Sequence, residues 1–290
     1  MIVESDQELL AILRLMFPDS KTNKLRKMLT EGRVEVNGKI VHKAKEPISK
    51  GSQVNILNRQ KAEDKGESPI RKKKNFRIKI LHEDDDIIVV NKQAGLLSVA
   101  TDKMEPDTLH SRVLEYVQHS DKKGWAYIVH RLDRETSGVM IFAKDKHSKD
   151  YLQEQFADRA VHRIYHALVE GAPEKKSGTI REWLLEDKFL KVKAVNKKHP
   201  NAKEAITHWS IEDYDGTASL IALTIETGRR HQIRVGLANL GCPVIGDKQH
   251  GAEGNPIGRI ALHATSLEFL HPATDDPLRF EAPIPFGPEK

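Results

Sequence analysis

Short apolar, β-rich runs set at uneven intervals constrain this chain more than any other feature of its sequence. Ile87-Ile88-Val89-Val90-Asn91-Lys92, Val139–Ala143, Tyr165–Val169, Leu220–Ile225 and Ile260–Phe269 have the length and the branched or aromatic content of strands. Lys146–Ala157 and Arg230–Leu240 carry helical spacing. Regular alternation of strand and helix would predict a parallel, doubly wound sheet. Separations this irregular predict an α+β fold, a mixed and largely antiparallel sheet with peripheral helices. A chain of 290 residues can bury about three quarters of its unfolded surface, enough for one large or two unequal domains.

The N-terminal stretch has a different grammar. Glu8–Phe17 has the spacing of a short buried helix stopped by Pro18. A second helix follows with Leu25, Met28 and Leu29 inward and Lys24, Arg26 and Lys27 outward. Val34-Glu35-Val36-Asn37-Gly38-Lys39-Ile40-Val41 alternates around Asn-Gly, a hairpin signal because both turn positions need positive φ. Gly51–Leu57 closes the unit as a strand. Residues 58–75 have no apolar period and read as a flexible basic linker. The expected division is therefore 1–57, a small α/β unit; 58–75, a linker; and 76–290, the main domain.

Charge follows the same division. The net +5 at pH 7 divides into +3 over residues 1–57, +4 over 58–75 and −2 over 76–290. A basic appendage on a near-neutral body points to a polyanionic partner, because neutralising phosphates and releasing counterions supplies nucleic-acid affinity.

Chemistry concentrates in His130-Arg131-Leu132-Asp133-Arg134-Glu135-Thr136-Ser137-Gly138, which runs into the apolar Val139–Ala143. A carboxylate set among guanidiniums is favoured as its anion, and an ionised carboxylate can serve as nucleophile or base. A plain surface ion pair would have the same local pattern. In Thr227-Gly228-Arg229-Arg230-His231-Gln232-Ile233-Arg234, Thr227 is placed to cap a helix. Arg230 and Arg234 should share one face of it, and Ile233, Leu237 and Leu240 the buried stripe.

These segments resemble the RluA family of RNA pseudouridine synthases. The family core is His-Arg-Leu-Asp-x-x-Thr-Ser-Gly followed by a strand. Arg163-Ile164-Tyr165-His166-Ala167-Leu168-Val169 matches its basic-x-Tyr strand, Thr227–Arg234 its Thr-Gly-Arg-x-His-Gln-Ile-Arg, and Arg259–Ala264 its terminal strand. The resemblance implies a pseudouridine synthase fold and isomerisation of uridine in RNA. It implies Asp133, Tyr165 and Arg234 as the catalytic set, with Arg234 paired to Asp133. Tyr165 and Leu262 would sandwich the uracil, and Arg131 would fill the place of the flipped nucleotide. Arg230 and His231 are further substrate-binding candidates. Residues 5–57 resemble the alpha-L RNA-binding domain named for a small-subunit ribosomal protein, which implies phosphate contacts from Lys24, Arg26 and Lys27 and favours ribosomal RNA, of the large subunit, over transfer RNA.

The chain departs from the family pattern in places. Gln93 stands where a proline is usual, Gly236 and Cys242 where histidines are, and Gln249-His250-Gly251 replaces Lys-Tyr-Gly. None of these is in the expected catalytic set. One cysteine excludes an internal disulfide; Met1–Asp6 lacks a basic segment followed by an apolar one, and no run nears the roughly 18 apolar residues of a membrane span, so secretion is not expected. A cytoplasmic monomer is the expectation. No Cys-x-x-Cys, His-Glu-x-x-His or phosphate-cradling glycine loop occurs, so no metal and no cofactor is implied. An N-glycosidase and a non-catalytic RNA binder are the competing readings. Release of free uracil would identify the first, whereas Asp133, Tyr165 and Arg234 standing together argue against the second.

Overall fold

The structure, a computed structural model, describes residues 1–57 and 78–287 apart from 19, 21, 31, 102 and 188–190, and omits the side chains of Asn23, Lys27 and Thr30. The linker expected at 58–75 lies outside the described residues. The chain divides into two compact units, Met1–Phe76 with Ala100–Pro106, and Arg77–Val99 with Asp107–Lys290.

In the first unit, helices α1 (Leu9–Met16) and α2 (Thr22–Thr30) bury Leu9, Ile12 and Leu13 with Leu25, Met28 and Leu29. These are i, i+3, i+4 positions, so each helix turns one apolar stripe inward. Strand β1 (Gln7–Glu8) pairs with β4 (Pro47–Ile48), while β2 (Val34–Val36) lies between β3 (Lys39–Ile40) and β5 (Val54–Ile56). The β2–β3 turn has Asn37 at φ 50° and Gly38 at φ 82°, the left-handed pair that the Asn-Gly signal requires.

The second unit is built on one mixed sheet. Its strands are β6 (Lys79–Glu83), β7 (Ile87–Lys92), β8 (Tyr127–Ile128), β9 (Ser137–Ala143), β10 (His162–Glu170), β11 (Ser177–Glu186), β12 (Val192–Val195), β13 (Lys203–Tyr214), β14 (Ala218–Ile225), β15 (Leu262–Leu270) and β16 (Pro277–Glu281). Among the described residues the order is β12-β11-β13-β14-β10-β15-β9-β7-β6, with β16 on β15 and β8 on β9. The β9–β15 pair is parallel and the other pairs are antiparallel.

The continuous apolar runs of β7 and β9 reflect burial on both faces. Ile88, Val90, Met140 and Phe142 join the cluster that receives Leu109, Val113 and Val117 of helix α3 (Leu109–Ser120). Their neighbours Ile87, Val89, Val139 and Ile141 join a second cluster that receives Leu152 of helix α4 (Lys146–Ala157). Both helix starts are capped. Thr108 and Ser111 form a reciprocal box, and the Asp145 carboxylate accepts from the Ser148 amide at 2.9 Å.

Helix α5 spans Gln232–Asn239, shorter than the Arg230–Leu240 expected. His231 is left-handed (φ 53°), so Arg230 precedes the helix and does not share a face with Arg234. Thr227 does not cap it. The Thr227 hydroxyl donates to Gln232 Oε1 at 2.7 Å, and the Gln232 amide donates to Ile206 O and Thr207 Oγ1. These contacts to the end of β14 and to β13 fix the turn. Leu240, expected to be buried, is exposed at the helix end. Among the described residues no helix is long and apolar enough to cross a membrane.

Candidate active site

Asp133 sits in the loop that enters β9, and its neighbours are clamped on both sides. The Leu132 amide donates to Ser98 Oγ at 3.0 Å and the Ser98 hydroxyl donates back to Leu132 O at 2.6 Å. The Lys92 ammonium donates to Arg134 O at 2.9 Å, to Leu96 O at 2.6 Å and to Gln93 O at 3.1 Å. Lys92 is fully buried. Burial pushes its ammonium down to about 7, with Glu135 and Asp133 pulling the other way. Main-chain bonds thus hold 132 and 134 while the Asp133 side chain, partly exposed, stays free to face a ligand.

Strand β15 lies between β9 and β10 and brings distant residues to one place. Ala264 is paired with Gly138 on one side and Tyr165 on the other. At Gly138 (φ 121°) a Cβ would lie 2.1 Å from Ala264 O, so only glycine permits this approach. Leu262 opens β15, and Tyr165 lies on β10 with its hydroxyl pKa raised, mainly by burial, with Arg163 opposing and Asp133 adding. Both line a cavity of about 350 Å³ with Asp133, Arg131, His231 and Arg234.

Arg234 enters from α5. Its Nη1 lies 3.8 Å from Asp133 Oδ2, but its closer partner is Asp247, which accepts from Nε at 2.6 Å and from Nη2 at 2.7 Å. The expected pairing of Arg234 with Asp133 is therefore a secondary contact of an arginine already gripped by a buried carboxylate. His231 Nε2 lies 3.9 Å from Asp133 Oδ2. A cavity with a carboxylate, a fixed guanidinium, an aromatic ring and a leucine can take a flat base and present an anion to the atom beside it.

The remaining candidates are dispersed. Arg131 is exposed at the cavity. Arg230 turns away to pair with Glu186 at 2.7 Å and is not among the lining residues. Lys24 is exposed and Arg26 partly buried on α2, and the Lys27 side chain lies outside the described residues. Sequence reasoning missed Asp247, Ser98, Lys92 and His250 as parts of the site. A lone acid in the apolar Pro243-Val244-Ile245-Gly246-Asp247 was the available signal for the first. It also missed that Asp84, Asp86 and His271 approach within 4.8 Å of one another. Asp84 there already accepts from the amides of Asp86 and Ile87, and none of the three lines the cavity.

Residues 86–239 match the family model described as RNA pseudouridylate synthase. The chain is 33% identical to ribosomal large subunit pseudouridine synthase D of Escherichia coli (strain K12), covering 96% of this chain and 87% of that protein. It is also 33% identical to the protein of that name from Neisseria meningitidis serogroup B, over 95% and 75%. The solved structure of human RNA pseudouridylate synthase domain containing 4 superposes with a TM-score of 0.60 and 25% identity, covering 71% of this chain and 88% of that one. Sequence, fold and family motifs agree, and the chain belongs to the RNA pseudouridylate synthase family, isomerases that convert uridine to pseudouridine.

Proposed function

We propose that this chain isomerises a uridine of large-subunit ribosomal RNA, with Asp133 as the catalytic carboxylate. The observation that carries the reading is the convergence of Asp133, Arg234, Tyr165 and Leu262 on one cavity of about 350 Å³. That volume is at the lower end of ligand pockets, about 300–1,000 Å³, and suits one extruded nucleotide. The relatives' names supply the ribosomal RNA. The reaction breaks the glycosidic bond, turns the uracil in place and rejoins it through a ring carbon. Asp133 acts at the sugar, by the glycal route in our reading, while Tyr165 and Leu262 hold the detached base and Arg234 orients the carboxylate. Arg131, exposed at the cavity, occupies the gap left in the RNA stack. The setting is the cytoplasm and the acting form a monomer. Mapping pseudouridine in cellular RNA with and without this gene tests the reading, and sites lost only from transfer RNA would refute the ribosomal assignment.

The basic N-terminal unit serves in this reading as the RNA holder. Deleting residues 1–75 is expected to weaken RNA affinity and flatten its salt dependence, by roughly one unit of log–log slope for each phosphate no longer neutralised. Filter binding at several salt concentrations measures this, and equal slopes for the two proteins would exclude the role. The sequence has no metal-ligand spacing of Cys or His, and the Asp84, Asp86 and His271 group does not line the cavity, so activity is expected to survive exhaustive chelation and dialysis. Loss of turnover on a short RNA that folds without ions, restored only by a divalent cation, would show a metal requirement.

A further inference from the structure

A short 3₁₀ turn, Lys248–His250, begins at Asp247, whose carbonyl accepts from the amides of His250 and Ala252. One turn therefore sends two side chains to the start of α5, Asp247 to Arg234 and His250 to His231. His250 Nε2 lies 3.1 Å from His231 Nδ1, with the rings edge to face at 5.2 Å and 88°. The opposite nitrogen of His231, Nε2, faces Asp133 Oδ2 at 3.9 Å.

A neutral imidazole has one N–H, so the partner of one nitrogen decides what the other can do. Both rings are held toward the neutral form. Burial is the largest cause in each, pushing His231 down to about 4 and lowering His250. Arg234 adds to it in both, His250 and Arg230 add to it in His231, and Asp133 opposes it, joined by Asp247 at His250. With the proton on Nδ1, His231 would turn the Nε2 lone pair toward a carboxylate. With Nδ1 accepting from His250, the Nε2–H points at it.

We propose that His250 is a positioning residue that donates to His231 Nδ1, fixes His231 as the Nε2–H tautomer, and so gives Asp133 a second donor beside Arg234. The inference rests on Asp133 being the reacting carboxylate. At 3.9 Å the His231–Asp133 contact is longer than a hydrogen bond, and such contacts tighten when substrate fills a site. The structure thus gives His231 a part in holding the carboxylate, distinct from the RNA contact expected from sequence.

The test compares His250→Phe, which has no donor, with His250→Tyr, whose hydroxyl is one. The full chain is assayed by tritium release from large-subunit ribosomal RNA transcribed with uridine labelled at carbon 5. Removing the donor should lower kcat by about tenfold or more and leave KM within about threefold, and His250→Tyr should recover most of the loss. Nitrogen-15 spectra of histidine-labelled protein should show His231 as Nε2–H in wild type and His250→Tyr, but not in His250→Phe. Retention of both kcat and tautomer in His250→Phe, or an equal loss of kcat in the two variants, would overturn the proposal. A wild-type protein that released no tritium would overturn the functional reading instead, while the spectra would still report the tautomer.

Discussion

Asp133→Asn is expected to reduce pseudouridine formation to background while RNA affinity stays within about tenfold, roughly 1.4 kcal/mol. The amide keeps the shape of the side chain but is neither a nucleophile nor a base. The fold should tolerate it. The bonds that hold this loop run through the main chain of Leu132 and Arg134 to Ser98 and Lys92, and Arg234 keeps its grip on Asp247. Tritium release from uridine labelled at carbon 5 reads the reaction and filter binding reads the affinity. Near-normal release by this variant would remove Asp133 from the chemistry.

Asp247→Ala is expected to destabilise the catalytic unit by about 3–5 kcal/mol, the usual cost of stripping one partner from a buried ion pair. Asp247 is 1% exposed and Arg234 5%, so the guanidinium left behind would have little water to replace two bonds of 2.6 and 2.7 Å. Turnover should fall as well, because Arg234, no longer gripped by Asp247, loses the fixed position from which it orients Asp133, 3.8 Å away. All three tryptophans, Trp125, Trp183 and Trp209, belong to the second unit, so urea unfolding followed by their fluorescence reports this unit alone. A loss below about 1 kcal/mol would mean that the pair contributes no more than an exposed one.

The sequence was legible where burial is two-sided or where the pattern is local. The runs of β7 and β9 stand out because neighbouring residues serve opposite cores, and α4 has the bounds that its helical spacing indicates. β11, β12 and β13 were not foreseen, since Arg181, Glu182, Lys193, Lys203, Glu204, Glu212 and Asp213 interrupt their apolar positions and leave no continuous run like those of β7 and β9. The start of α5 was misplaced for a non-local reason: Gln232 binds Thr227, Ile206 and Thr207, and none of those partners is visible in a helical period. Asp133, Tyr165, His231, Arg234 and Leu262 were named from motifs and do line one cavity. The supports behind them were not named, because Asp247, His250 and Ser98 act through pairings that only tertiary structure creates.

The place of β15 has a consequence for how the chain is made. It comes late among the described strands, yet it lies inside the sheet between β10 and β9, and among the described residues it alone links the β6, β7 and β9 side to the β10 to β14 side. A ribosome must therefore release residues 262–270 before either half can complete its hydrogen bonding, and until then Asp133 and Tyr165 belong to two unjoined pieces. Pairings of such long sequence separation are slow to form. A chain made no further than β14 therefore holds Asp133 and Tyr165 without the strand that brings them to one cavity.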